Sequence, residues 1–483
     1  MASRAVTELR LDRLPPATIA LLRAAHAAGG RRRDVVLVGG AVRDALAGRP
    51  VADVDLAVPR GALVLTERIA ERLGATPVVL DAERGAGRVA GAGIQLDVND
   101  FRAATLEGDL VERDYTVNAL AVSLHALLGN GRAPIVDPTG GLADLRARRL
   151  RPPGPRVLGD DPLRALRAVR LEAGSGLRLT APATRLVRAA APGLASVAAE
   201  RVRDEVIAWL RLPGTGRALR RADALGLLPV ILPEVGPMRA TLQPAPHRFD
   251  VLEHSLRAVE GADRVVARVA ALAPFGEELA GHAREGLGGA LDRALVLKLA
   301  ALLHDVSKPE TRQVIDGRVR FFEHDLLGAG RAREIGQRWK LPARAVDVLE
   351  RLVRHHLRPM HLAQAGEITR RARHRFYRDL GADTRDLLLL ALVDGAAVTG
   401  ASPLALWRRA ALVHDLMGGW REAESAAAAP PLLRGEDVMR RFELPPGPAV
   451  GELLARAREA QDLGLVRTRE EALAYLDSSE PVP

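Results

Sequence analysis

The chain has 483 residues, 70 Lys and Arg against 60 Asp and Glu for a net charge of +10, and no cysteine. Such a length exceeds one hydrophobic core and implies two to four domains, and the missing thiols exclude disulfides and thiolate metal sites. Lys298, Lys308 and Lys340 are the only lysines, so the positive charge is nearly all arginine, whose planar fork suits phosphate and base edges; a GC-rich gene would give the same bias.

Residues 1 to about 30 read as a helical lead-in, and from about 34 to 150 strands alternate with short helices. The stretch from Leu37 to Asp55 carries the chemistry. Val35 to Val38 form a buried strand, Gly39-Gly40 a tight turn, and Ala41 to Ala47 a short helix. Glycine lets backbone N–H groups approach a ligand closely, and a helix start favours negative charge. Asp53 and Asp55 fall two apart on an expected strand, Val51 to Val58. A period of two puts both carboxylates on one face, able to share two Mg²⁺ ions. Alone, Asp-x-Asp is most often a solvated strand end and Gly-Gly a plain turn. Joined at this spacing, with Arg43-Asp44 on the helix, they are equipment for attack on a nucleoside triphosphate.

The whole string resembles the nucleotidyltransferase signature of the bacterial tRNA CCA-adding and poly(A) polymerase family. The resemblance implies that Asp53 and Asp55 are catalytic metal ligands and that Gly39, Gly40 and Arg43 hold the triphosphate. Asp97, on the alternating stretch Ile94 to Asp100, reads as the neighbour of that strand, either supporting the metal site or purely structural. Arg113 to Leu120 resembles the family's second motif, which contacts ribose and triphosphate through Arg113, Asp114 and Asn118. Glu112 stands where the family usually has a second arginine, which removes one such contact. Asp137 to Asp144 resembles the third motif, a hinge, and reads equally as a Gly turn before a helix.

Beyond residue 150 the chain has helical apolar periodicity, with Pro-rich breaks at 151–155, 229–246 and 426–431. The expected architecture is α+β: a small α/β head (1–150), a helical neck (151–240), a larger helical domain (241–425) and a helical tail (426–483). In the neck, Asp161 and Arg164 are helical neighbours, which alone would be an N-cap and a surface ion pair. Cytosine and adenine both present an amine donor beside a ring-nitrogen acceptor. A carboxylate and a guanidinium match that pattern, whereas uracil and guanine would leave a charge unpaired. In the family this pair selects CTP and ATP without a template, a role carried to Asp161 and Arg164, with Arg167 in the same nucleotide-binding set. Asp160 replaces the family's usual Glu, and Glu200 to Glu205 resembles the segment that braces this helix.

Between Phe101-Arg102 and Leu106 only Ala103-Ala-Thr105 intervenes, where the family normally has a flexible polar loop. In related enzymes losing that loop goes with adding CC but not the terminal A. The expectation is therefore a CC-adding enzyme using CTP, with a separate enzyme adding A. Full CCA addition with ATP as well, and poly(A) synthesis, are the alternatives.

Nine of the twelve histidines lie between His247 and His374. The order His254, His304-Asp305, Asp394 resembles the HD phosphohydrolase superfamily, whose ligands converge on a divalent cation that activates water. His324 and His355 fit where related proteins place extra ligands, while His414-Asp415 falls after the last expected one. The tail resembles the family's segment that holds the tRNA elbow and acceptor arm, through salt-sensitive phosphate contacts. Aromatic residues are 3%, too few for a stacking platform on single strands. No apolar leader opens the chain, and its longest apolar run, Leu387 to Val393, cannot span a bilayer, so a cytoplasmic protein without membrane contact is expected. A rival of another class is an RNA-binding HD hydrolase whose head is inactive; the intact Asp53 and Asp55 oppose it.

Overall fold

Alternating apolar residues build an eight-stranded sheet from β1 (Glu8–Arg10), β2 (Val36–Val38), β3 (Val54–Val58), β4 (Thr76–Asp81), β5 (Ala86–Gly91), β6 (Ile94–Asp100), β7 (Ala121–Ser123) and β8 (Arg132–Val136). Their order is β1-β8-β7-β2-β3-β6-β5-β4. β3 and β6 pair in parallel, and every other neighbouring pair is antiparallel. A computed structural model describes residues 7–30, 32–51, 53–91, 94–427 and 429–478. The chain divides into two compact units, Met1–Glu205 with Arg221–Ile231, and Val206–Arg220 with Leu232–Pro483. The sheet belongs to the first.

Period two decides which face of the sheet each residue takes. Val54, Leu56 and Val58 of β3 join Leu37, Leu96 and Val98 in one core, closed by Leu22 of α1 (Pro16–Ala28) and by Leu65 and Ile69 of α3 (Ala62–Leu73). The opposite face packs Val36, Val38 and Ala57 against Phe101 and Leu110. Asp55 and Asp97 alternate with residues of the first core and so fall on this second face. The expected short helix is α2 (Gly40–Leu46), and the expected strand from Val51 begins only at Val54, leaving Asp53 just ahead of it.

The first unit continues as helices, with Leu163–Ser175 the longest of those carrying expected site residues. In the second unit the helices Val251–Ala267, Arg293–Leu303, Ala343–His355 and Thr384–Thr399 bury most of their apolar stripes. The helical expectation needs additions: short strand pairs, Arg149–Leu150 with Arg178–Leu179 and Gly286–Gly288 with Leu291–Asp292, and a hairpin, Arg312–Ile315 with Arg318–Phe321. Its two-residue turn is Asp316-Gly317, both at positive φ, the conformation a tight hairpin requires. Near the end, helices Gly435–Phe442, Pro448–Asp462 and Arg469–Asp477 share a small core of Val438, Val450, Ala460 and Leu476. Among the described residues no helix is long and apolar enough to cross a membrane.

Leu56 is fully buried beside the site strand. Leu56→Ala should destabilise the first unit by about 2–5 kcal/mol, read as lost hydrogen-exchange protection of the β2 and β3 amides.

Candidate functional site

Parallel pairing sets Asp55 of β3 in register with Asp97 of β6. Asp97 is held by a bidentate ion pair with Arg88, at 2.7 and 2.9 Å, from the adjoining strand β5. The charge of Asp97 is thus matched within the sheet. Asp53 and Asp55 have no hydrogen-bond or ion-pair partner among the described residues and are free to take a cation. Burial pushes the Asp55 carboxyl up to about 6; Asp97 and Asp53 add to the shift and Arg113 opposes it. Gly39 has φ 75°, and a Cβ there would sit 3.2 Å from Asp55 Oδ2 and 3.5 Å from Arg113 Nη1. Glycine is thus required by the turn, while a Cβ would press on Asp55 and meet Arg113 at ordinary contact distance.

Arg113 is turned toward the turn by Asp109, which accepts from its Nε at 3.0 Å and Nη2 at 2.9 Å. Asp109 is fully buried on α4 (Leu106–Val111) and also takes Arg102 Nη1 at 2.8 Å. This organising carboxylate was not among the expected site residues, although its i, i+4 spacing to Arg113 signals the pair. Arg43 grips its neighbour Asp44 at 2.9 and 2.7 Å and donates to Asn118 Oδ1 at 2.5 Å. Asn118 in turn donates to Asp114 at 3.0 Å, and Arg167 lies 3.6 Å from Asp114. One network therefore joins Arg43, Asn118, Asp114 and Arg167.

Asp161 lies between the short helix Val157–Asp160 and Leu163–Ser175, whose N-cap position is Pro162 rather than Asp161. Its Oδ1 accepts from the Leu163 amide at 3.3 Å, and its Oδ2 lies 3.7 Å from Arg164 and 2.8 Å from Arg201. Burial opposes ionisation of Asp161, but the Arg201 hydrogen bond together with the charges of Arg201, Arg164 and Arg167 outweighs it and holds the carboxyl below its ordinary range. Glu205 binds Arg170 at 2.9 Å and Arg167 at 3.3 Å. Tyr115 Oη donates to the Arg164 carbonyl at 2.8 Å, tying the second motif to this helix.

The second unit gathers a buried His/Asp cluster. His254 comes from the helix Val251–Ala267, His304-Asp305 follow Arg293–Leu303, and Asp394 lies on Thr384–Thr399. His254 Nε2 is 2.9 Å from Asp394 Oδ1 and 3.2 Å from His304 Nε2, and His304 Nε2 is 3.2 Å from Asp305 Oδ2. His324 joins through Asp305 Oδ1 at 3.4 Å. His355 does not: it ends the helix Ala343–His355 and is only half-buried. The next residue, His356, is 4% exposed and stands 3.6 Å from Asp305 Oδ1. Successive helical positions point about 100° apart, so a one-residue shift exchanges the inward for the outward side chain. Two ligand groups result, His254–His304–Asp305 and Asp305–His324–His356, each with its ligand atoms within 4.8 Å of one another. Lys308 and Gln243, also unforeseen, flank them: Lys308 Nζ donates to Asp305 Oδ2 at 2.7 Å and to Gln243 Oε1 at 2.8 Å. His414-Asp415 stays out of the cluster, Asp415 binding Arg373 at 2.7 Å.

A glycine turn, the two neighbouring unpaired carboxylates Asp53 and Asp55, and an arginine beside the turn define a nucleotidyltransferase head, here joined to an HD domain. Family models agree: the poly A polymerase head domain matches 35–151, the probable RNA- and SrmB-binding site of polymerase A matches 178–238, and the HD domain matches 251–398. An A-adding tRNA nucleotidyltransferase of Deinococcus radiodurans is 37% identical over 91% of this chain and 94% of its own. A CC-adding tRNA nucleotidyltransferase of Thermus thermophilus is 34% identical over 92% and 93%. In fold, the chain is similar to the apo form I structure of a CCA-adding enzyme, with TM-score 0.61 and 19% identity over 98% of this chain and 99% of that one. The chain belongs to the CCA-adding family of tRNA nucleotidyltransferases that carry an HD domain.

Only ionised Asp55 can hold a cation, and its carboxyl titrates near 6, above the ordinary carboxylate range. Mg²⁺ affinity of the head should therefore be full above that pH and fall about tenfold per pH unit below it, as one proton competes with the ion. Calorimetric titration from pH 5 to 8 checks this; a flat profile would contradict the environment of Asp55.

Proposed function

We propose that this enzyme adds two cytidylates, CC, to the 3′ end of tRNA from CTP, and that a separate enzyme supplies the terminal A. The observation that carries the specificity is the direct passage from β6 into α4. Phe101 is buried, Thr105 caps α4 by accepting from the Gly108 amide at 3.1 Å, and Asp109 ties Arg102 to Arg113. A pinned segment replaces the flexible lever by which a pocket would be switched from CTP to ATP. In the reaction the tRNA 3′-oxygen bonds to the α-phosphorus and the bond to the β-phosphate bridging oxygen breaks, releasing pyrophosphate. Asp53 and Asp55 would hold Mg²⁺, which polarises the phosphate and favours the 3′-alkoxide. Gly39 and Gly40 leave room for the phosphates, and Arg113 and Arg43, with Asp114 and Asn118, bind triphosphate and ribose. Asp161 accepts from the cytosine amine while Arg164 donates to the ring nitrogen, with Arg167 steadied by Asp114 and Glu205 behind them. The proposed partner is tRNA, held at its elbow and acceptor stem in the cytoplasm; the Thermotoga maritima CCA-adding enzyme, similar in fold, is solved in complex with tRNA.

A second reading, addition of A alone, is favoured by the Deinococcus radiodurans relative, which is A-adding and 37% identical. Product sequencing after incubation with tRNA ending before CCA or after CC, and with each nucleotide alone, separates the two. CC addition from CTP with no A supports the proposal; A addition to the CC end supports the second reading; a complete CCA end or a poly(A) tract defeats both.

Asp55→Ala should lower transfer by at least about 10³-fold while leaving tRNA affinity within a factor of about two, because the lost group stabilises charge at the reacting phosphate rather than binding RNA. Retained turnover would remove the metal assignment. The His/Asp cluster of the second unit is read as a divalent-cation site for phosphate-ester hydrolysis, held by His254, His304, Asp305 and Asp394.

A further inference from the structure

We infer that Arg102 is a further triphosphate-binding residue of the head, its guanidinium taking the outer phosphates that leave as pyrophosphate while Arg113 serves those at the Gly39 turn. The inference rests on reading the head as a nucleoside-triphosphate site, whichever base it takes, and deepens that reading. Asp109 divides its two oxygens between two arginines. Oδ2 accepts from Arg113 Nε and Nη2, at 3.0 and 2.9 Å. Oδ1 accepts from the Arg102 backbone N–H and from Arg102 Nη1, at 3.1 and 2.8 Å. The Asp109 side chain is fully buried and that of Arg113 is 10% exposed, whereas that of Arg102 is 39% exposed.

Charge balance shows that Arg102 does more than neutralise Asp109. Arg113 alone, bound through two N–H groups, already matches that carboxylate, so the second guanidinium is surplus. The surplus reaches both ends of the nucleotide site. Burial is the main cause holding the guanidiniums of Arg113 and Arg164 below their ordinary range, and the charge of Arg102 adds to it in each. Like charges gathered in a partly buried space repel until an anion lies among them.

The hydrogen-bond inventory places that anion. Arg113 spends Nε and Nη2 on Asp109 and keeps Nη1, which borders the Gly39 turn. Arg102 spends Nη1, and among the described residues its Nε and Nη2 have no partner. One bond from its backbone and one from its tip to the same Oδ1 fix the side chain at both ends, so the open donors are held in place. A planar fork of ordered N–H donors suits the oxygens of a phosphate. As the tRNA 3′-oxygen bonds to the α-phosphorus, the electron pair of the breaking bond passes to the pyrophosphate. A guanidinium already on those phosphates stabilises that charge as it develops.

The test uses the full-length protein and follows steady-state transfer with CTP on tRNA lacking CCA and with ATP on tRNA ending in CC, so the readout does not depend on which nucleotide is added. Pyrophosphate and the matching monophosphate, CMP or AMP, serve as competing inhibitors. Arg102→Gln, which keeps an amide donor for Asp109, should raise the KM for the triphosphate and the inhibition constant of pyrophosphate about tenfold each. The inhibition constant of the monophosphate should stay within a factor of about two, because it lacks the outer phosphates. Arg102→Lys, which keeps the charge, should recover most of the loss. An equal weakening of mono- and triphosphate, or a loss of thermal stability with no change in either, would make Arg102 only a support for Asp109 and overturn the inference. A rise confined to the KM for tRNA would place the charge on the RNA strand and overturn it too. Absence of transfer by the wild-type protein with both nucleotides would overturn the reading of the head itself.

Discussion

Two carboxylates brought into register on adjacent parallel strands are the constraint on which the head depends. Burial is the larger reason that Asp55 resists ionisation, and the charge of Asp97 beside it adds to the effect. Asp55 and Asp97 are such a pair, and the fold relieves one and not the other. Arg88 neutralises Asp97 across the β5–β6 ladder, while Asp55 keeps a raised pKa and an open carboxylate. The strain is local, because Val54, Leu56 and Val58 anchor the same strand from its other face.

Around this centre, positions that make no chemistry hold those that do. Asp109 is fully buried and carries two arginines; removing one member of such a pair leaves a charge uncompensated, which typically costs about 3–5 kcal/mol. Its hold on Arg113 runs through α4, whose cap is Thr105, so the short connection from Phe101 and the arginine beside Gly39 form one mechanical unit.

Residues that act through a local pattern were legible in the sequence. The Gly39-Gly40 turn and the β6 strand could be read because each needs only its own turn chemistry or its own period, whereas β3 begins only at Val54, so Asp53 lies outside the strand on which a period of two would put it beside Asp55. Contacts set by register or by distant segments were hidden. Arg88 finds Asp97 only once β5 and β6 are aligned, and Arg201 reaches Asp161 from forty residues away. The exchange of His355 for His356 has a different origin: adjacent histidines at a helix end differ by rotation alone, and one sequence carries no information on that phase.

That helix end also explains how the cluster in the second unit is wired. His304 and His356 each sit one residue past a helix, at the position where the last turn leaves carbonyl oxygens without amide partners. Their Nδ1 atoms lie 3.0 Å from the Ala301 carbonyl and 2.7 Å from the Val353 carbonyl, three residues back in each case. A proton on Nδ1 satisfies the orphan carbonyl, and the same proton obliges Nε2 to face inward as an acceptor. Completing the helix and preparing a ligand are therefore one hydrogen bond. His324 repeats the device from the start of its helix, using the Phe321 carbonyl at the end of the hairpin. The head gathers acceptors by strand register and the second unit gathers them by ring tautomer, yet in both the fold directs lone pairs to a point, with a cationic side chain, Arg113 or Lys308, set beside it. A site built in that way is selective for positive charge before any ligand arrives.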